Sequence, residues 1–144
     1  MGPSDDPEIS PRKAEYLNYI LEAGGCVKTT EIASYFHISP STGSKAIREL
    51  AEMGLLTHVP YGEATLTEKG ECLAYFIQRR HRILALLLSH YGFTQGEACT
   101  EAKHFEYYVS RESVNRICAS LGHPMMSACG RIVHEKGCCM EILE

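Results

Sequence analysis

The region that most restricts the fold of this chain is residues 29–66, in which two short amphipathic segments are separated by a turn. Thr29 or Thr30 can cap the first segment, because a threonine hydroxyl accepts an exposed backbone N–H at a helix start. Ser39 and Pro40 begin the second segment with similar chemistry, since a proline in the first turn has no N–H to leave unpaired. The pattern predicts a helix, a tight turn and a second helix.

Two extended runs follow the second helix. The helix is expected to end at Gly54, because glycine is flexible. Residues 56–59 and 64–67 then form apolar and β-branched runs on either side of a turn at 60–63. Such a pair predicts a β-hairpin. A hairpin directly after two helices of this kind predicts a winged helix-turn-helix, in which the hairpin is the wing.

The second helix has two faces of different chemistry. The residues with helical spacing that we expect to pack inward are Ala46, Ile47, Leu50 and Ala51. The opposite face presents hydroxyl groups and positive charge, which suit base edges and phosphates in the major groove of double-stranded DNA. The residues predicted to contact DNA are Ser39, Ser41, Thr42, Ser44, Lys45 and Arg48. The alternatives are a solvated helix surface and a protein-interaction adaptor.

The composition is that of a compact soluble protein. A chain of 144 residues, 44% of them apolar, can bury a core. The longest apolar run, at residues 83–88, is too short to cross a bilayer, and the first residues do not resemble a signal sequence. We expect a cytoplasmic protein with no membrane partner. A net charge of -4 argues against indiscriminate coating of nucleic acid but allows a locally basic face.

The rest of the chain is predicted to be helical. A first helix starts at Ser10, a long helix runs from Thr67 to about Tyr91, and two further helices start at Thr94 and Ser110. Threonine followed three residues later by glutamate is a capping box, which strengthens the start at Thr94. The predicted fold class is therefore mainly α, with a small β-hairpin wing.

The seven cysteines are unusual for such a chain. Their odd number and irregular spacing do not predict disulfides, and a cytoplasmic location keeps thiols reduced. We expect regular structure to end at residues 122–124. The tail beyond contains Cys129, His134, Cys138 and Cys139. Because thiolate and imidazole are ligands of soft and borderline metals, the tail is a candidate metal site, and a redox-active or incidental cysteine pair is the alternative.

The helices offer further candidate ligands. Cys99 and Glu106 are seven residues apart, close to two helical turns, so both side chains are expected on one helix face. His81 lies in an apolar part of the long helix, where a hydrogen-bonded core histidine is the alternative to a ligand. Cys26 and Cys118 are expected to be buried packing residues.

The order of these features resembles the diphtheria toxin repressor family of metal-dependent regulators. The similarity covers about residues 10–130 and rests on the winged helix, on RRHR at 79–82, on CTEAKHFEYYVS at 99–110 and on LGHP at 121–124. It implies a homodimer in which a divalent ion, iron or manganese, favours a spacing of the two winged domains that fits DNA. The ligand positions it implies are His81, Glu106, Cys99 and Glu15. For Glu15, a solvated surface carboxylate is the alternative.

With this resemblance, the chain divides into four expected parts, as in short members of the family that have no SH3-like third domain. Residues 1–9 are a flexible arm, and residues 10–70 are the winged helix-turn-helix domain. Residues 71–124 are a helical dimerisation and metal-sensing domain, and residues 125–144 are a cysteine-rich tail.

Four positions depart from the family pattern. Tyr107 replaces a ligand histidine, Lys103 replaces a cysteine or glutamate, and Ala85 replaces a glutamate of the iron-responsive members. Arg12 stands where manganese-responsive members have an aspartate. The usual primary site therefore cannot form unchanged, and we predict a rebuilt site that contains thiolates.

This rebuilt site combines His81, Cys99 and Glu106 with tail residues Cys129, Cys138 or Cys139. Thiolate ligands move the preference away from manganese and toward iron(II) or zinc, and leave an iron–sulfur cluster open. The expected ion is iron(II), with zinc or manganese as alternatives.

The function predicted from these features is transcriptional repression of metal-uptake or metal-homeostasis genes. Metal binding would shift a homodimer to the form that fits a palindromic operator in double-stranded DNA. A thiol-based redox-sensing regulator with the same winged helix is the alternative. The sequence shows no nucleophile–base pair, phosphate loop or paired carboxylates. We therefore expect neither an enzyme nor a small-molecule substrate.

Overall fold

The computed structural model of the chain describes residues 7–135. The helices in this part are α1 (Pro11–Glu22), α2 (Thr29–Tyr35), α3 (Pro40–Glu52), α4 (Glu68–Ser89), α5 (Gln95–Phe105) and α6 (Arg111–Ser120), with a short 3-10 turn at Glu106–Tyr108. The strands are β1 (Cys26–Lys28), β2 (Leu56–His58), β3 (Glu63–Leu66), β4 (Met126–Ser127) and β5 (Gly130–Arg131). Among the residues described, no helix is both long enough and apolar enough to cross a membrane.

The chain forms two compact units, which divide between Tyr75 and Phe76. Helix α4 therefore contributes its first part to one unit and the remainder to the other. The first unit contains α1–α3 and β1–β3, and the second contains α5, α6 and the small sheet of β4 and β5. The mainly helical fold with a small antiparallel sheet confirms the predicted class.

Local capping chemistry sets most helix starts, as predicted. Ser10 Oγ accepts the N–H of Lys13 at 3.2 Å, and Ser39 Oγ accepts the N–H of Thr42 at 3.1 Å. Thr94 forms the complete capping box with Glu97. Helix α2 is an exception, because its N-cap is Lys28, which makes no side-chain capping bond, and neither Thr29 nor Thr30 caps it.

The wing lies in a three-stranded sheet, which the sequence did not predict. The strand order is β1-β3-β2, with both pairs antiparallel. In β1, Val27 is buried, whereas Cys26 faces solvent, so the prediction of a buried thiol at Cys26 was wrong. The Cys26 thiol instead donates a hydrogen bond to the Glu63 carboxylate and accepts one from the Thr65 hydroxyl, both on the neighbouring strand β3. Through its pairing with β3, strand β1 attaches the wing to the chain segment between α1 and α2.

The core of the first unit comes from the inward faces of its helices and strands. Its fully buried members include Leu17, Ile20, Ile32, Ile47, Leu50, Leu55 and Ala64. Gly70, at the start of α4, has no room for a side chain, because an added Cβ would overlap the Leu55 backbone carbonyl. Thr67 Oγ1 accepts the Gly70 N–H at 3.0 Å, which confirms Thr67 as the cap of the long helix. Close backbone packing thus fixes the start of α4.

The second unit has its own apolar cluster between α4 and α5. Leu84, Ala85, Ala98 and Ala102 are buried in it, and the residues packed around them include Cys99 and Cys129. The expectation that regular structure ends at residues 122–124 was wrong. A short hairpin follows, in which Met126 pairs with Arg131 and Ser127 with Gly130.

Candidate metal centre

The β4–β5 hairpin docks on α4 through hydrogen bonds that each join a side chain to a backbone carbonyl. Ser127 Oγ donates to the Arg82 carbonyl oxygen at 2.8 Å, and the Arg82 guanidinium donates to the Arg131 carbonyl. Gly130 has a φ of +142°, and an added Cβ would lie 3.2 Å from the same guanidinium. These contacts place Cys129, in the turn of the hairpin, against α4 at His81.

Three potential ligands meet at this point, and we refer to His81, Cys99 and Cys129 as the His81 cluster. Their ligand atoms all lie within 4.8 Å of one another, and all three residues are half-buried. The surrounding side chains are those of the apolar cluster that includes Leu84 and Ala98. Two thiols and an imidazole at this separation fit a soft or borderline divalent ion.

Glu106 orients the histidine of the His81 cluster. Its carboxylate lies 2.6 Å from His81 Nδ1 and is only 5% exposed. Because Nδ1 is occupied by this bond, Nε2 is the ring nitrogen available to a metal ion. A carboxylate on the second nitrogen of a ligating histidine fixes its tautomer and strengthens it as a ligand. Glu106 begins the 3-10 turn that follows α5, which directs its side chain to α4.

The groups in and around the His81 cluster shift the pKa values of His81 and Cys129 strongly, in opposite directions. A hydrogen bond with Cys129, and then one with Glu106, raises the pKa of His81 to about 10. Burial acts to raise the pKa of Cys129, but hydrogen bonds with His81 and Ser127 outweigh it and lower the pKa to about 7. At neutral pH without a metal ion, His81 is therefore an imidazolium, and a large fraction of Cys129 is thiolate. Metal binding must displace the proton of His81.

The predicted DNA-contacting face lies on the first unit. The members of this face on α3 that are exposed are Ser41, Thr42, Ser44, Lys45 and Arg48. Ser39 is also exposed, but its hydroxyl caps the helix and bonds to Thr42 Oγ1 at 2.8 Å. Lys45 approaches Glu49 only to 4.0 Å, an exposed pair that holds the ammonium weakly. At the tip of the wing, Tyr61 is fully exposed with a φ of +60°.

Comparison with known proteins assigns a family to both units. Residues 8–64 match the N-terminal DNA binding domain of iron dependent repressors, and residues 67–135 match the iron dependent repressor metal binding and dimerisation domain. An uncharacterized HTH-type transcriptional regulator of Methanocaldococcus jannaschii is 32% identical over 100 residues, which are 69% of this chain and 80% of the relative. The chain belongs to the iron-dependent repressor family. The resemblance to the diphtheria toxin repressor family is thereby confirmed.

Named members of this family are also similar to the chain, in sequence and in structure. The HTH-type transcriptional regulator MntR of Lysinibacillus sphaericus is 30% identical over 103 residues, which are 72% of this chain and 74% of the relative. A solved manganese-dependent transcriptional repressor in complex with manganese is 34% identical with a TM-score of 0.69. That match covers 85% of this chain and 62% of the repressor's chain. Members of the family are transcriptional regulators, and its two domains bind DNA and form dimers.

The other predicted ligands stand apart from the His81 cluster as defined here. Glu15 belongs to the first unit, where its carboxylate pairs with Arg12 at 3.2 Å in an exposed i,i+3 ion pair. Lys103 is exposed. Cys138 and Cys139 lie outside the described residues, so their part in the site stays a prediction.

A second group of ligand-type side chains was missed. Cys118, His123 and His134, which we call the Cys118 cluster, also have ligand atoms within 4.8 Å of one another. Helical periodicity correctly placed Cys118 inward, but it gave no sign of the two histidines around it, and His134 had been grouped with the tail thiols. The available signal was the pair of histidines, eleven residues apart in the chain, on either side of a segment that can fold back on itself.

Proposed function

We propose that this chain is a DNA-binding transcriptional repressor of metal-uptake or metal-homeostasis genes, which responds to a metal ion held by His81, Cys99 and Cys129. The observation that supports it most directly is the convergence of these three side chains within 4.8 Å in the unit that matches the family's metal binding domain. The other unit has an exposed helix face with hydroxyls and positive charge, which suits DNA.

In this proposal the four carboxylate, imidazole and thiol groups have different roles. His81 Nε2 and the sulfurs of Cys99 and Cys129 bind the ion, and Glu106 orients the imidazole through Nδ1. Glu15 belongs to the other unit, and its part in the site stays a prediction.

The ligand set favours iron(II) or zinc over manganese. Manganese prefers oxygen ligands, whereas two thiolates and one imidazole suit softer ions. We propose iron(II) as the physiological ion, zinc as its chief competitor and a cluster of iron and sulfide as a form that anaerobic spectra would reveal. The metal content of protein purified without oxygen tests this order directly.

The regulatory step is a shift between two forms of a homodimer in the cytoplasm. When bound, the ion would link α4, α5 and the β4–β5 hairpin, which present its ligands, and would favour the form whose two winged domains fit a palindromic operator. Recognition helices one turn of DNA apart reach half-sites separated by about 34 Å. Ser41, Thr42, Ser44, Lys45 and Arg48 make the contacts with DNA, and Ser39 fixes the start of their helix.

The proposal is tested by fluorescence anisotropy of a labelled promoter fragment, titrated with protein that is metal-free or loaded with iron(II) or zinc. We expect the metal to tighten DNA binding in the native protein and to have no effect in a Cys99→Ser/Cys129→Ser variant. Cys72→Ser is the matched control, because this thiol is exposed on α4 and lies in the first unit. Equal responses to metal in the native protein and the double variant would refute the assignment.

A redox-sensing regulator is the second candidate, and the paired thiols of the His81 cluster favour it. Oxidation of Cys99 and Cys129 by hydrogen peroxide would form one disulfide and convert the peroxide to two water molecules. The two sulfurs lie within 4.8 Å of each other, and the lowered pKa of Cys129 supplies a thiolate. This candidate predicts that peroxide changes DNA affinity in metal-free protein, whereas a chelator has no effect on the untreated protein.

A further inference from the structure

The Cys118 cluster has the composition of a metal site and lies outside the His81 cluster. Cys118, on α6, is fully buried. Its sulfur lies 3.6 Å from His123 Nδ1 and 3.5 Å from His134 Nδ1. Both imidazoles thus direct the same ring nitrogen to a single thiol.

The backbone fixes the orientation of His134. Its Nε2 lies 2.7 Å from the Pro124 carbonyl oxygen. A carbonyl oxygen can only accept a hydrogen bond, so Nε2 must be the donor. In the neutral ring, Nδ1 then has a free lone pair directed at Cys118. Histidines that bind metals usually donate their other N–H to such a carbonyl, so the contact that orients a ligand is already present.

The segments that hold these histidines are fixed at both ends. His123 follows the last turn of α6 with a φ of +52°, a left-handed conformation that is uncommon for a residue with a side chain, and its N–H donates to the Cys118 carbonyl at 2.9 Å. After His134, the Glu135 carboxylate pairs with Arg111 and lies 3.6 Å from the guanidinium of buried Arg79. The histidines are therefore held by the fold and do not depend on an exposed loop.

We propose that Cys118, His123 and His134 bind a zinc ion that secures the β4–β5 segment to α6. A tetrahedral zinc ion with bonds of about 2.3 Å to sulfur and about 2.05 Å to nitrogen holds these two ligands about 3.6 Å apart. The two observed sulfur–nitrogen distances are 3.6 and 3.5 Å. Three ligands leave one tetrahedral position for water or another donor. The ion has a structural role, since it joins the end of α6 to the segment that contains Cys129.

A purely hydrogen-bonded cluster is the competing explanation. The Cys118 thiol can donate its one proton to His134 Nδ1, and the other imidazole can donate to the sulfur, which would also give separations near 3.6 Å. The two explanations differ in metal content. If the Cys118 cluster is a zinc site, the chain should keep a bound ion after the His81 cluster is removed. A purely hydrogen-bonded cluster should not.

The test uses the full chain with Cys99→Ser/Cys129→Ser, which removes both thiols of the His81 cluster. Zinc is measured by mass spectrometry after dialysis against zinc and then against buffer. We expect one zinc ion per chain, and we expect none after a further Cys118→Ser or His134→Ala change. Cobalt(II) in place of zinc should give a thiolate charge-transfer band that Cys118→Ser abolishes.

His104→Ala is the control, because this histidine is exposed on α5, and it should keep the zinc ion. Circular dichroism shows whether each variant folds, and His123→Ala replaces any variant that does not. The proposal is overturned if the Cys99→Ser/Cys129→Ser chain holds no zinc, or if folded Cys118→Ser, His123→Ala and His134→Ala variants retain it. Because the His81 cluster is absent from this background, neither result depends on the regulatory function.

Discussion

The His81 cluster and the Cys118 cluster contain the same chemical groups but orient their histidines differently. Glu106 lies 2.6 Å from the second ring nitrogen of His81, whereas the Pro124 backbone carbonyl lies 2.7 Å from that of His134. A carboxylate brings a negative charge that favours the imidazolium, whereas a carbonyl fixes a tautomer without a full charge. A metal ion entering the His81 cluster must therefore displace a proton, and its affinity is expected to rise with pH.

The clusters also differ in the burial of their thiols. Cys118 is fully buried, while Cys99 and Cys129 are half-buried. An ion that reports metal supply has to exchange with solution, whereas an ion that secures a fold does not. Under the two proposals, one small unit would use the same ligand types for an exchangeable site and for a permanent one.

Removal of the His81 imidazole should have the largest effect on this contrast. In His81→Ala, the His81 cluster loses its only nitrogen ligand among the described residues, so metal affinity should fall by more than the roughly 10–100-fold typical of losing an orienting partner. Metal should no longer tighten DNA binding, while the zinc of the Cys118 cluster should remain. Isothermal titration and metal content measure the two effects. A variant that still responds to metal would show that the contrast between the clusters is wrong.

Glu106→Gln should have the next largest effect. The amide keeps a hydrogen bond to His81 Nδ1 but removes the charge, so metal affinity should fall about 10–100-fold without loss of the site. Isothermal titration with zinc measures the change. Glu101→Gln, an exposed position on α5, serves as the control and should leave the affinity unchanged. Equal affinities for the two variants would mean that Glu106 does not orient the ligand.

Gly130→Ala tests the segment that the two clusters share. The new side chain would have to adopt a φ of +142° and displace the Arg82 guanidinium, which should destabilise the unit by about 1–3 kcal/mol. The hairpin contains Cys129 and precedes His134, so both sites should bind metal more weakly. Urea unfolding measures the stability, and Gly96→Ala is the control, since a Cβ there meets open space. Weaker binding at one cluster alone would show that the hairpin does not link them.

Features governed by neighbouring residues could be predicted from the sequence. The caps at Ser10, Ser39 and Thr94 depend on bonds within three residues, and all three form. The exposed and buried faces of α3 follow from helical periodicity in the same way. By contrast, β1 is only three residues long and is stabilised by pairing with β3, a distant segment that no local pattern reveals.

The candidate sites could be predicted only in part, for the same physical reason. The spacing of Cys99 and Glu106 predicted that both lie on one helix face, which was wrong in part, because α5 ends at Phe105 and Glu106 begins the 3-10 turn that follows. The relation of these residues to His81 required the family resemblance. The Cys118 cluster requires the segment from His123 to His134 to fold back on α6. The contacts that hold it there include the ion pair between Glu135 and Arg111 and the hydrogen bond from His134 to the Pro124 carbonyl. Side-chain bonds to a distant backbone have no periodic signature in the sequence.

The smallest expected effect concerns the thiol of Cys129 in metal-free protein. Its pKa is lowered from an ordinary value of 9.0 to about 7, so the thiolate should persist as pH falls to about 7. Alkylation by iodoacetamide, followed on the Cys129 peptide by mass spectrometry, should therefore be half-maximal near pH 7. In His81→Ala the midpoint should move upward, because burial raises the pKa of the thiol once the imidazolium is gone. A midpoint near 9 in the native metal-free protein would show that His81 and Cys129 do not form the polarised pair that distinguishes the His81 cluster. The metal affinity of the cluster should then depend on pH as it does for ligands whose pKa values are not shifted.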